Sequence, residues 1–203
     1  GKLVERTSGV RLDRYVQKKI FAPLGMNDTS FCPATDRANR ISFSEEWSGH
    51  VQRGTVQDPI AGRLNGIAGH AGVFSTTHDL ARFAMMMLGG GALGEQRILK
   101  SETVSQMVSP QSPEGKADIR GLGWDIDSRY SSLKGEFFPS GSYGHTGYTG
   151  TSLWIDPQSK TFVILLTCRS RLDDNLAVRG LRTGLSNLVG SLFYPGKVKE
   201  KGL

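Results

Sequence analysis

The stretch Tyr143-Gly144-His145-Thr146-Gly147-Tyr148-Thr149-Gly150-Thr151-Ser152-Leu153-Trp154-Ile155 runs into Asp156-Pro157-Gln158-Ser159-Lys160 and then Thr161-Phe162-Val163-Ile164-Leu165-Leu166-Thr167-Cys168. Aromatic and β-branched residues fill the outer two segments, which predicts strands over 143–155 and 161–168. The polar, proline-bearing segment between them predicts a hairpin. Upstream, Leu122, Trp124 and Ile126 alternate with Gly123, Asp125 and Asp127, the pattern of a half-buried strand. Downstream, Ala177, Leu181, Leu185, Leu188 and Leu192 fall on one stripe of a helix. Gly180, Gly184 and Gly190 weaken that helix by about 1 kcal/mol each, and close backbone packing against the sheet is the expected compensation.

The first half of the chain has a different period. Lys2–Arg6 reads as the tail of a helix stopped at Ser8-Gly9, with no start signal before it. A second helix carries Leu12, Tyr15, Val16 and Ile20 on one face and ends at Ala22-Pro23-Leu24-Gly25. Residues 33–74 are polar and irregular, a length that marks a functional loop region. Thr76 with Asp79 resembles a capping box opening a helix with Leu80, Phe83, Ala84, Met87 and Leu88, closed by Gly89-Gly90-Gly91. Ser101 caps a short helix through Val108, and Pro110–Lys116 is a turn-rich connector. Residues 1–118 are thus mainly helix and loop, and 119–203 are antiparallel strands plus a closing helix. The class is α+β, in a single domain.

Composition narrows the function. The 203 residues are 37% hydrophobic and 22% charged, which excludes disordered and fibrous chains. No apolar run approaches the length that crosses a bilayer, and no leader segment is visible. Cys32 and Cys168 are too few for a disulfide-dense scaffold, and the sequence does not decide whether they pair. The 25 basic and 19 acidic residues give +6. That excess sits at the ends: 8 against 4 in residues 1–40, 7 against 3 in 168–203, and 10 against 12 between. The basic residues are scattered singly without interleaved aromatics, so they form a solvated face and nucleic-acid binding is not expected.

Four histidines, His50, His70, His78 and His145, have no metal-ligand spacing and no neighbouring cysteine. No metal site and no cofactor are expected. His78 belongs on the surface of a first helical turn. His145 lies among three glycines in a strand, where glycine gives no packing benefit and lets a ligand or backbone come close. The competing reading is a bulged strand packed on a helix. A second glycine-rich stretch, Asn65-Gly66-Ile67-Ala68-Gly69-His70-Ala71-Gly72-Val73-Phe74-Ser75, precedes a helix N-terminus. It is either an anion- or substrate-facing loop or a tight loop whose glycines serve positive-φ positions.

Several of these segments together resemble the penicillin-recognising serine hydrolases: class C β-lactamases, DD-peptidases and related esterases. They are Leu3–Gly9, Ile20–Thr29, Gly69–Thr76 with Asp79–Phe83, Gly121–Trp124, and Gly144–Thr151 with Asp156-Pro157. The resemblance covers roughly residues 1–193 and implies part of a β-lactamase/transpeptidase-like fold. Such proteins use a Ser-x-x-Lys at a helix start, a Tyr-x-Asn or Ser-x-Asn, and a Lys-Thr-Gly or His-Thr-Gly on the strand lining the site. Only the third is present in family context, as His145-Thr146-Gly147. By resemblance, His145 serves electrostatics and proton traffic, and Thr146 contacts a substrate carboxylate or carbonyl. Gly147 lets the acyl group lie against the strand, and the Tyr148 backbone N–H is one oxyanion donor. Gly69, His70 and Thr149 are the expected substrate contacts.

The one Ser-x-x-Lys, Ser131-Ser132-Leu133-Lys134, lies in a loop-like stretch rather than at an apolar helix start, and is not expected to be a nucleophile. There is no Tyr-x-Asn and no Gly-x-Ser-x-Gly elbow. The resemblance therefore implies the C-terminal part of the domain, without its N-terminal segment and inactive alone. The substrate would be a β-lactam, a peptidoglycan peptide or a small ester, met when the missing segment completes the site. The alternative is a non-catalytic binding or assembly module of the same fold. A sheet edge and an apolar face left uncovered would favour a homodimer, a swapped assembly or marginal stability. Family resemblance places the protein in the periplasm or outside the cell.

Overall fold

The computed structural model describes residues 1–45, 51–168 and 175–197. Helices α1 (Lys2–Ser8), α2 (Leu12–Val16), α3 (Pro59–Arg63), α4 (Thr77–Leu88), α5 (Ser101–Val108) and α6 (Asn175–Phe193) accompany one five-stranded sheet. Its strands are β1 (Ile119–Arg120), β2 (Asp125–Asp127), β3 (Tyr143–Thr146), β4 (Ser152–Asp156) and β5 (Thr161–Leu165). They lie side by side in chain order, every neighbour antiparallel, as a meander. The α+β class read from the sequence is the class observed.

Period-2 alternation sends the strand side chains to two different cores. Tyr143, Leu153, Ile155 and Phe162 face a cluster with Phe21, Leu24, Met26, Ala84, Met86, Met87 and Val104, under the helical half. Trp154 and Val163 face the other way, against Leu133, Phe138, Leu185, Val189 and Tyr194. The sheet is therefore covered by the α4 side on one face and by α6 on the other.

Several details depart from the sequence reading. The expected strand 143–155 is two strands, because the glycines close a turn: Gly147 N–H donates to Thr151 O (2.7 Å) and Gly150 N–H to Gly147 O (3.2 Å). Gly150 has φ 116°, a backbone position that a side chain would strain. The strand at Leu122–Asp127 begins only at Asp125, which leaves Leu122 54% exposed while Trp124 and Ile126 are buried. Asp125, expected outside, is buried and held by Arg120 Nη2 (2.8 Å) and Ser128 Oγ (3.0 Å). The α6 stripe is rotated from the expected one. Arg182, Leu185, Ser186, Val189 and Gly190 face the protein, whereas Leu181, Leu188 and Leu192 are exposed. Of its three glycines only Gly190 serves close packing: a Cβ there would lie 2.6 Å from Phe137 Cβ, while the space over Gly180 and Gly184 is open.

In the helical half, α1 stops at Gly9 in the left-handed conformation, whose N–H reaches Glu5 O. Residues 17–21 extend α2 as a π-helical turn that delivers Phe21 into the core. The loop region 33–74 has local structure of its own: a 3-10 helix at Thr35–Arg40, α3, and a two-residue ladder pairing Ser30–Phe31 with Val73–Phe74. Thr76 caps α4 by accepting from Asp79 N–H (3.2 Å). The Asp79 carboxylate does not complete a capping box; it is buried, accepting from Asp28 N–H (2.8 Å) and Thr29 Oγ1 (2.7 Å). Cys32 and Cys168 do not form a disulfide.

Candidate functional site

The His-Thr-Gly segment ends β3 and enters the turn to β4. His145 pairs with Leu153 across the ladder and is exposed; Thr146 pairs with Ser152 and is half-buried. His145 Nδ1 lies 2.8 Å from Thr146 O. A carbonyl only accepts, so Nδ1 donates in this contact, and Nε2 is the ring nitrogen turned away from it. Gly147 begins the turn, Tyr148 is exposed at 53%, and Thr149 follows half-buried. The four residues expected to carry chemistry are therefore contiguous at the end of one strand. The preceding tyrosine has no such role: Tyr143 is buried beneath Trp124, and burial pushes its hydroxyl up to about 12.

Why glycine stands at 144 is a packing matter, contrary to the sequence reading. A Cβ there would lie 2.2 Å from Trp154 Cε3, so the glycine lets the indole lie across the neighbouring strand. The turn is held from two further elements. Thr167, just beyond β5, donates from Oγ1 to Gly150 O (2.8 Å). Arg182 of α6, itself buried, donates from Nη2 to Gly147 O (2.6 Å) and Thr151 O (2.8 Å). Sequence reasoning missed Arg182, because no local pattern joins it to a turn more than thirty residues upstream.

Gly69 and His70 lie elsewhere. With Gly1, Lys2, Glu5, Leu12, Leu64, Ile67 and Ala68 they line a cavity of about 350 Å³. His70 Nε2 lies 3.0 Å from Asp58 Oδ1, and both side chains are partly exposed. Asp58 also caps α3, accepting from Ala61 N–H (2.7 Å). That backbone bond, then His70, holds the Asp58 carboxyl below its ordinary value. Asp58 was missed as well; the Asp58-Pro59 pair at a helix start was its only signal.

Ser131 and Lys134 have structural partners. Ser131 is 2% exposed, and its Oγ accepts from Ser128 N–H (2.9 Å) within a 3-10 turn; Lys134 Nζ donates to Ile126 O (3.0 Å). A buried hydroxyl bound this way presents no nucleophile to a substrate. His78 is exposed, as expected, and His50 lies outside the described residues.

An antiparallel meander with a helix on one face, a helical region on the other and His-Thr-Gly at the end of a central strand is the frame of a β-lactamase-like serine hydrolase. The chain belongs to this family, matching the β-lactamase family model over residues 1–184. A protein of Salmonella heidelberg described as "Putative D-alanyl-D-alanine carboxypeptidase" is 31% identical over 206 residues, covering 89% of this chain and 47% of its own length. Its counterpart in Salmonella schwarzengrund is 32% identical. The chain thus spans about half the length of the curated relatives it matches. Among solved structures, simvastatin synthase from Aspergillus terreus superposes with TM-score 0.69 at 22% identity, over all of this chain and 54% of that one. A family VIII carboxylesterase gives 0.64 at 17%, over 94% and 55%. These two show the fold alone. No helix among the described residues is long and apolar enough to cross a membrane.

Proposed function

We propose that His145, Thr146, Gly147 and Tyr148 form one wall of an acyl-transfer site of the serine-ester type. The nucleophile and the second proton-handling group come from polypeptide outside these 203 residues. Thr146 and Thr149 contact the substrate, His145 Nε2 handles a proton, and the Tyr148 N–H stabilises the oxyanion while Gly147 leaves room for the acyl group. Gly69 and His70, backed by Asp58, line a separate substrate contact. The observation that carries this reading is the His-Thr-Gly strand end with its glycine turn, in a chain whose sole Ser-x-x-Lys is buried and bonded. The relatives' name favours a peptide ending in D-alanyl-D-alanine, with β-lactams and small esters as chemical analogues of that acyl donor. The site of action is the periplasm or the cell exterior.

Intact-mass spectrometry after incubation with a fluorescent penicillin and, separately, a fluorophosphonate tests this. The 203-residue chain is expected to gain no covalent adduct, and the protein from the complete reading frame to gain one. A stoichiometric adduct on the chain alone would sink the assignment of the nucleophile. No adduct on the complete protein would leave a non-catalytic binding module of the same fold.

A further inference from the structure

The Arg182 guanidinium reaches the candidate site at a telling atom. Its acceptors, Gly147 O at 2.6 Å and Thr151 O at 2.8 Å, are the two carbonyls at the mouth of the β3–β4 turn. The carbonyl of Gly147 and the N–H of Tyr148 belong to one peptide group. No peptide bond in the described chain is cis, so that carbonyl and that N–H point in opposite directions across a rigid plane. A cation fixed on the oxygen therefore fixes the direction of the N–H. It also draws electron density toward the oxygen, which makes the N–H a stronger donor. Arg182 is only 6% exposed, so water screens this effect little.

We propose that Arg182 is a positioning residue that orients and polarises the Gly147–Tyr148 peptide so that the Tyr148 N–H serves as an oxyanion donor. The inference rests on the acyl-transfer reading above and adds a residue to it. Arg182 touches no reacting atom; it acts through the peptide. Gly147 O also accepts a longer bond from Gly150 N–H (3.2 Å), and Thr167 on Gly150 O and the bond from Gly147 N–H to Thr151 O hold the rest of the turn. Loss of Arg182 therefore loosens one peptide plane rather than dissolving the loop. Lysine carries the charge and can donate to both carbonyls, but without the planar fork.

The test uses the protein from the complete reading frame and the variants Arg182→Met, Arg182→Gln and Arg182→Lys. Acylation by a fluorophosphonate is followed against reagent concentration. Selective ¹⁵N-tyrosine labelling, with the Tyr148 signal assigned by its loss in Tyr148→Phe, reports the amide itself. In Arg182→Met and Arg182→Gln the amide proton is expected to move upfield and exchange faster with solvent. The limiting acylation rate should fall about tenfold or more, toward the roughly 10²–10³-fold ceiling for losing an oxyanion donor, at an unchanged half-saturating concentration. Arg182→Lys should recover most of both. A folded Arg182→Gln protein with wild-type acylation overturns the proposal, whether or not its amide moves. If Arg182→Met fails to fold, Arg182→Gln and Arg182→Lys carry the comparison. A wild-type protein that is not acylated at all counts against the acyl-transfer reading; the Tyr148 amide then decides alone whether Arg182 orients that peptide.

Discussion

Gly144 shows how one missing side chain organises a sheet. Opposite it in the ladder stands Trp154, fully buried, and the indole occupies the space a Cβ would need. Gly144→Ala should destabilise the fold by about 1–3 kcal/mol, the usual cost of overpacking a filled core, read as a lower denaturation midpoint. Trp154→Ala should cost about 3–5 kcal/mol. An alanine at 144 with unchanged stability would mean that Trp154 shifts freely and that the glycine has another purpose. At this scale the sequence was legible in placement: His145 and Thr146 lie on a strand and Ser131 lies away from any apolar helix start, as read. It misled at Gly144, whose neighbour across the ladder is ten residues away. It was silent on Arg182 and Asp58, because a lone arginine on a helix or a lone Asp-Pro has many ordinary uses.

The β4–β5 hairpin and the end of α6 are latched through one buried carboxylate. Asp156 accepts from Ser159 Oγ (2.5 Å), the backbone N–H of Gln158 and Ser159, and Tyr194 Oη (2.5 Å). Burial pushes this carboxyl up, but the bonds from Ser159, Tyr194 and the backbone outweigh it and leave it below its ordinary 3.8. A carboxyl depressed in the folded state binds its proton more readily when unfolded. Its contribution is therefore complete above the unfolded value, and lost as pH falls from about 4–5 through the folded value. Tyr194→Phe should lower stability by about 1.5–3 kcal/mol at neutral pH, as for a bond to a charged group. It should also flatten the acid limb of the melting-temperature profile. An acid limb as steep as wild type would show that Tyr194 does not hold the carboxylate down. Elements were the most legible scale: α4 and the 156–160 hairpin lie where capping, periodicity and turn residues put them, and α5 ends at Val108 as read, although Ser101 is its first residue and not its cap. The strand break at 147–151 and the rotated face of α6 were not. A turn closed by glycines reads like a weak strand, and a leucine stripe does not reveal which side meets the protein.

At the scale of the molecule, the described surface leaves Leu181, Leu188 and Leu192, on one stripe of α6, at least half exposed beside β5, an edge strand of the sheet. A stripe of this kind favours association. The chain should self-associate as its concentration rises in light scattering, and Leu188→Lys should weaken that association without lowering the melting temperature. A wild-type chain that stays monomeric throughout would show that the stripe alone is not adhesive. The meander has a consequence of another kind. Because β1 through β5 follow one another in space as in sequence, three of the four strand pairings close loops of four or five residues and the fourth closes residues 128–142, all at modest entropic cost. The wall of the candidate site can therefore assemble from contiguous chain as it leaves the ribosome. The clasp from Arg182 lies later in the chain, so the Gly147–Tyr148 peptide is held only once α6 has been made.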